Sequence, residues 1–133
     1  MKLEFLNDIS ENGKYPHADP DSLIRLYDFD TTTASELRQM IQEEIIEGNR
    51  PIDFALIRFI KRINCNLVLQ LVDIDKGIYT NDNINFVCGL TIESYKEMVY
   101  LMEPFCNEDL NGYQWLYDLN EPIDFLFSPG GSW

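Results

Sequence analysis

Carboxylates supply most of the reactive groups in this chain: 23 Asp and Glu stand against 10 Lys and Arg, with one His and three Cys. Metal binding is therefore the first chemistry to weigh. Asp28 and Asp30 sit one residue apart at the end of a predicted strand, on the same strand face. If Asp73 or Asp75 met them at one edge of a sheet, the cluster could hold Mg²⁺ or Ca²⁺. Solvated strand ends are the plainer account of all four. Asp73-Ile74-Asp75-Lys76-Gly77 also opens like a calcium loop. An EF-hand asks for an acid or Asn at its fifth place, Gly at its sixth and Glu at its twelfth. Those places hold Gly77, Ile78 and Ile84, so the frame fails and the segment reads as a charged turn.

Nucleophilic chemistry is no better provided for. His17 is the one histidine and lies in a polar stretch, His17-Ala18-Asp19-Pro20-Asp21, where nothing would hold it beside a nucleophile. Cys65, Cys88 and Cys106 are widely spaced in apolar surroundings, so they read as buried free thiols of a reducing compartment rather than as zinc ligands or a disulfide framework. No glycine-rich phosphate loop occurs, and Gly130-Gly131 opens no helix. A carboxylate pair for glycoside hydrolysis could be drawn from anywhere among so many acids, which leaves any chosen pair uninformative. The expectation is a chain with no cofactor and no bound metal that works by binding. A carboxylate-based metal-binding domain or metal-dependent enzyme, built on Asp28, Asp30, Asp73 and Asp75, is the alternative.

The net charge of −13 bears on the partner. Nucleic acid and anionic membranes would be repelled, whereas a basic protein would be drawn in. The field is uneven: residues 1–62 carry a net −4 and residues 63–133 a net −9, while Arg50, Arg58, Lys61 and Arg62 form the one basic cluster. Two features suggest where docking would occur. Tyr113, Trp115 and Tyr117 form an aromatic row flanked in sequence by Glu108, Asp109, Asp118 and Glu121, and Tyr and Trp are favoured interface anchors. Packing beneath helices as core is the plainer reading of that row. Separately, Glu43, Glu44 and Glu47 lie in the last turns of a predicted helix, where carboxylates oppose the helix dipole. The residues expected to meet a partner are thus Glu43, Glu44, Glu47, Trp115, Asp118 and Glu121. Small acidic proteins of this sort include bacterial immunity proteins, which neutralise a basic toxin such as a nuclease. The parallel is one of size and charge, without a shared motif. The opening residues acquire acids at once and resemble no signal peptide, and no stretch approaches the about 20 apolar residues needed to cross a bilayer, so a cytoplasmic location is expected.

The elements that would position these residues are consistent with one α+β domain over residues 1–133, a mostly antiparallel sheet with two main helices on one face. Residues 7–22, with Asn12-Gly13, Pro16 and Asp19-Pro20, read as a surface loop. Leu23 to Asp30 reads as a strand. A helix follows, with Thr33 and Glu36 as a capping box, an inner stripe of Ala34, Leu37, Met40, Ile41 and Ile45, and Gly48 as a left-handed stop. Residues 53–63 match both a helix capped by Asp53 and a strand. Leu67–Ile74 and Ile84–Leu90 read as strands paired in a hairpin. Thr91 opens a second helix with Tyr95, Met98, Val99, Met102 and Phe105 inward, ending near Glu103 because Pro104 lacks an N–H. Strands around Trp115 and over Ile123–Phe127 close the chain, with the terminal Trp133 folding back.

Overall fold

A computed structural model describes residues 1–7 and 22–133. His17 and the loop expected around it therefore lie outside the described residues. In chain order the elements are β1 (Lys2–Leu6), β2 (Ser22–Tyr27), α1 (Thr31–Met40), which continues as a π-helical segment over Ile41–Glu47, β3 (Ile52–Asp53), β4 (Lys61–Arg62), β5 (Asn66–Leu71), β6 (Gly77–Thr80), β7 (Asn85–Leu90), α2 (Ile92–Asn107), β8 (Gln114–Trp115) and β9 (Ile123–Phe127).

The class is α+β, as expected, but the strands form two mixed sheets rather than one mostly antiparallel sheet. The first runs β4-β1-β2-β9-β8 and the second β3-β5-β7-β6. In β1, Leu3 and Phe5 point into the core while Glu4 on the other face stands opposite Arg25 of β2. Arg25 donates to Glu4 through Nε and Nη2 at 2.9 and 2.5 Å and to the Gly131 carbonyl through Nη1 at 2.7 Å, tying the C-terminal turn to the sheet.

The expected β5–β7 hairpin is replaced by a parallel pairing, Asn66↔Asn85 through Leu71↔Leu90. The segment read as a turn supplies a strand of its own, β6, which pairs antiparallel with β7 on the far side from β5. Buried Ile78 stabilises β6, and the tight turn before β7 is organised by the Asp82 carboxylate, which accepts from the backbone N–H of Ile84 and Asn85 at 2.9 and 2.8 Å. Residues 53–63 become neither a helix nor a full strand: Asp53 caps a single 3₁₀ turn at Phe54–Leu56 by accepting from the Ala55 N–H, and β4 follows.

Both helices keep their expected inner stripes, with Met40 half-buried and the other stripe residues buried. Their ends differ. The capping box of α1 is made by Asp30 and Thr33, one turn earlier than Thr33 and Glu36, because Asp30 is extended and its carboxylate reaches the Thr33 N–H. At the other end Gly48 is not left-handed; Asn49 takes that conformation at φ +49°. A Cβ at Gly48 would lie 2.6 Å from the Arg50 guanidinium, so the glycine leaves room for that side chain to fold back on Glu44. Helix α2 runs through Pro104 to Asn107. One lost backbone bond is offset by burial of Phe105, whose ring packs edge-on against Phe127 at 5.3 Å.

Both helices meet the second sheet, α1 through its π-helical continuation and α2 at its start. They pack on each other, with Arg38 donating to the Val99 carbonyl at 2.8 Å. At its start α2 is fixed to the second sheet, where the single proton of the buried Tyr95 hydroxyl is shared between the carbonyls of Gln70 and Cys88. At its end it meets the first sheet through Phe105 and Phe127. The sheets touch directly at Phe5 and Phe86, 4.6 Å apart between ring centres, and buried residues from both sheets and both helices make one continuous hydrophobic cluster.

Candidate docking site

Where α2 passes β8 and β9, an open cleft of about 540 Å³ is left. Glu97 and Leu101, one helical turn apart on α2, form one wall; Gln114 and Trp115 of β8, Tyr117 and Asp118 just beyond it, and Asp124 of β9 form the rest. Three carboxylates and two aromatic rings thus border one concavity. Glu97 and Asp118 have no hydrogen-bond or ion-pair partner among the described residues, while Asp124 is engaged within the fold.

The aromatic row does not keep a single face. Only Gln114 and Trp115 are strand, so the two-residue alternation stops there and Leu116 and Tyr117 both turn inward. Tyr113 is exposed, Trp115 half-buried and Tyr117 buried. Trp115 is braced edge-to-face by Tyr113 at 6.0 Å and by Trp133 at 6.4 Å, so the terminal Trp does fold back. The Tyr117 hydroxyl accepts from the Ile78 N–H of β6 and donates to the Ile123 carbonyl of β9, joining the two sheets at the cleft floor. Burial pushes its phenol well above the usual range, so it stays protonated and held.

Of the six sequence-predicted residues, the cleft brings together Trp115 and Asp118. Glu121 is exposed, with its Cγ beside Gly77 rather than in the cleft wall. Glu43, Glu44 and Glu47 lie on the π-helical segment and do not line the cleft. Each is met locally: Gln39 donates to Glu43 at 2.6 Å, Gln42 to Glu47 at 3.0 Å and Arg50 to Glu44 at 2.7 Å. The Arg50 hydrogen bond and charge hold the Glu44 carboxyl below its ordinary range. Glu97 and Asp124 were missed. Glu97 flanks the inner stripe of α2 and Asp124 alternates with buried Ile123 and Phe125, which is the pattern of residues standing beside a core face.

The four carboxylates of the metal reading are not assembled. Asp28 and Asp30 follow β2 in the first sheet, where Asp28 pairs with Lys2 at 3.1 Å and Asp30 caps α1. Asp73 and Asp75 follow β5 in the second sheet, and Asp75 caps α2 by accepting from the Thr91 N–H and the Ser94 hydroxyl, both at 2.7 Å. Partial burial works against its charge, but these bonds prevail and hold the carboxyl below the usual range. Among the described residues no group of three or more His, Cys, Asp or Glu is placed to hold a metal ion. Cys65 and Cys88 are buried, which pushes their thiols up to about 11 and about 12, and Cys106 is half-buried. The basic cluster divides: Arg50 pairs with Glu44, whereas Arg58 and Arg62 border a separate groove of about 570 Å³ with Ile57, Ile60, Ile63 and Ile84. No helix among the described residues is long and apolar enough to cross a membrane.

No protein-family model matches the chain, and no curated protein matches its sequence.

Proposed function

We propose that this is a non-catalytic protein-binding domain that docks on a basic protein through the Glu97–Trp115–Asp118 cleft. In the fuller form of the reading it is a cytoplasmic immunity or inhibitor protein that neutralises a basic toxin such as a nuclease. The observation that carries the reading is the cleft itself: two carboxylates, Glu97 and Asp118, that have no partner among the described residues stand beside a braced tryptophan. Interface energy concentrates at such aromatic anchors, and charge around them speeds encounter and selects the sign of the partner. The net charge of −13 steers a cationic surface inward and keeps polyanions out. Inhibition would follow from occlusion: carboxylates occupy the places where a nuclease holds phosphates, while Trp115 seats the complex. The groove of Arg58 and Arg62 has the wrong sign for this task.

The test is affinity capture with the chain as bait, at low and high salt, beside a Glu97→Gln/Asp118→Asn double variant. The reading expects one basic protein that is retained by the natural chain, released by salt and lost with the variant. Should that protein be the product of an adjacent gene and toxic when expressed alone, the immunity form stands. Capture indifferent to both salt and the double substitution would defeat the docking reading.

A further inference from the structure

We infer that the cleft seats an arginine side chain of the partner, rather than serving as a general acidic landing surface. The inference rests on the docking reading and sharpens it to one chemical group. Two features of the cleft favour guanidinium over ammonium, and a third favours tight binding. Its apolar lining, Leu101 with Trp115 and Tyr117, would partly desolvate whatever lies against it. A lysine ammonium holds its water tightly, whereas a guanidinium is planar, weakly hydrated and suited to lie against aromatic rings. Next, the two uncommitted carboxylates come from different elements, Glu97 from α2 and Asp118 from the segment after β8. A guanidinium has five N–H donors in a rigid fork and can address two carboxylates at once, while an ammonium acts as a point charge. Finally, the cleft is built before the ligand arrives. Trp115 meets Tyr113 and Trp133 edge-to-face, and the Tyr117 hydroxyl is tied to both sheets, which lowers the ordering left to be done on binding. Asp124, engaged elsewhere in the fold, adds negative potential without needing to bond the ligand.

An acidic patch attracts Lys and Arg alike, so discrimination between them is the property to measure. The probes are an alternating Arg-Gly peptide and a Lys-Gly peptide of equal length and charge, titrated calorimetrically into the full chain at low salt. The Arg-Gly peptide is expected to bind about tenfold more tightly, the scale of one partly desolvated cation–π contact. Trp115→Ala should bring that ratio close to one, and Trp115→Leu, which keeps apolar bulk while removing the ring, should do the same if the alanine variant fails to fold. Glu97→Gln with Asp118→Asn should weaken both peptides, while Glu43→Gln with Glu47→Gln, distant in the sequence and outside the cleft wall, should leave the ratio unchanged. Equal affinity for the two peptides, or a ratio untouched by Trp115→Leu, overturns the arginine seat and leaves the docking reading standing. Failure of both peptides to bind the natural chain at low salt overturns both.

Discussion

Replacing Tyr117 by phenylalanine deletes one oxygen at the junction of the two sheets and leaves the ring in place. The hydroxyl is buried and serves two backbone groups, accepting from Ile78 N–H in the second sheet and donating to the Ile123 carbonyl in the first. Phenylalanine fills the same space, so no hydrophobic term changes. What is lost is hydrogen bonding, and what remains is a buried amide stripped of its partner, for a cost of about 2 kcal/mol. For a small domain with a urea m-value of about 2 kcal/mol/M, that is a fall in the midpoint of about 1 M. Urea unfolding followed by far-UV dichroism and by tryptophan fluorescence measures it, with the slope expected to stay constant. Gly77→Ala should act on the same junction, because Gly77 has φ +70° and a Cβ there would lie 3.2 Å from the Tyr117 oxygen. A Tyr117→Phe midpoint within about 0.2 M of the natural chain would refute the hydroxyl as a net tie between the sheets.

Two further outcomes follow from the cap of α2 and from the thiols. Asp75→Asn should destabilise the fold at neutral pH by about 1.5–3 kcal/mol, since the charged cap serves both Thr91 and Ser94. The carboxyl is held below its ordinary value, so its contribution is present above the unfolded pKa, near about 4, and fades as pH falls through the lower folded value. The stability gap between the natural chain and the Asp75→Asn variant should therefore narrow on acidification below about pH 4, and a gap independent of pH would contradict the assignment. Among the thiols, Cys106 should react first with a disulfide reagent. Cys65 and Cys88, buried and raised to about 11 and about 12, should react only as the chain unfolds, and a fast reaction of all three would contradict their placement.

Much of this architecture is legible in the residues, and the losses have physical causes. The α2 stripe of Tyr95, Met98, Val99, Met102 and Phe105 is sound because its helical period is unbroken and Thr91 caps it. Its end is misread because Pro104 argues locally for a stop, while the burial of Phe105 is a tertiary gain that no local pattern contains. Strand β1 escapes notice because only Leu3 and Phe5 mark it, and its pairing with β2 joins residues across an intervening polar stretch. The parallel β5–β7 ladder is hidden because Gly77-Ile78-Tyr79-Thr80, lying between turn residues, is too short to read as a strand; Ile78 is its one buried apolar side chain. Within the candidate site, Trp115 and Asp118 are recognisable by type and neighbourhood. Glu97 is not, because it becomes their neighbour only when α2 crosses β8, and with 23 acids in the chain no spacing singles it out. Glu43, Glu44 and Glu47 attract attention through the helix dipole, yet Gln39, Arg50 and Gln42 meet them locally.

The most direct examination of the docking cleft is a residue-resolved map of where a cationic ligand lands. In an amide nitrogen–proton correlation spectrum of the labelled chain, titrated with a mixed Lys/Arg peptide at low salt, the largest shifts should fall on Glu97, Leu101, Gln114, Trp115, Tyr117 and Asp118, with the Trp115 indole signal moving with them. Shifts centred on Glu43–Glu47, or spread evenly over the acidic surface with the cleft unmoved, would contradict the account.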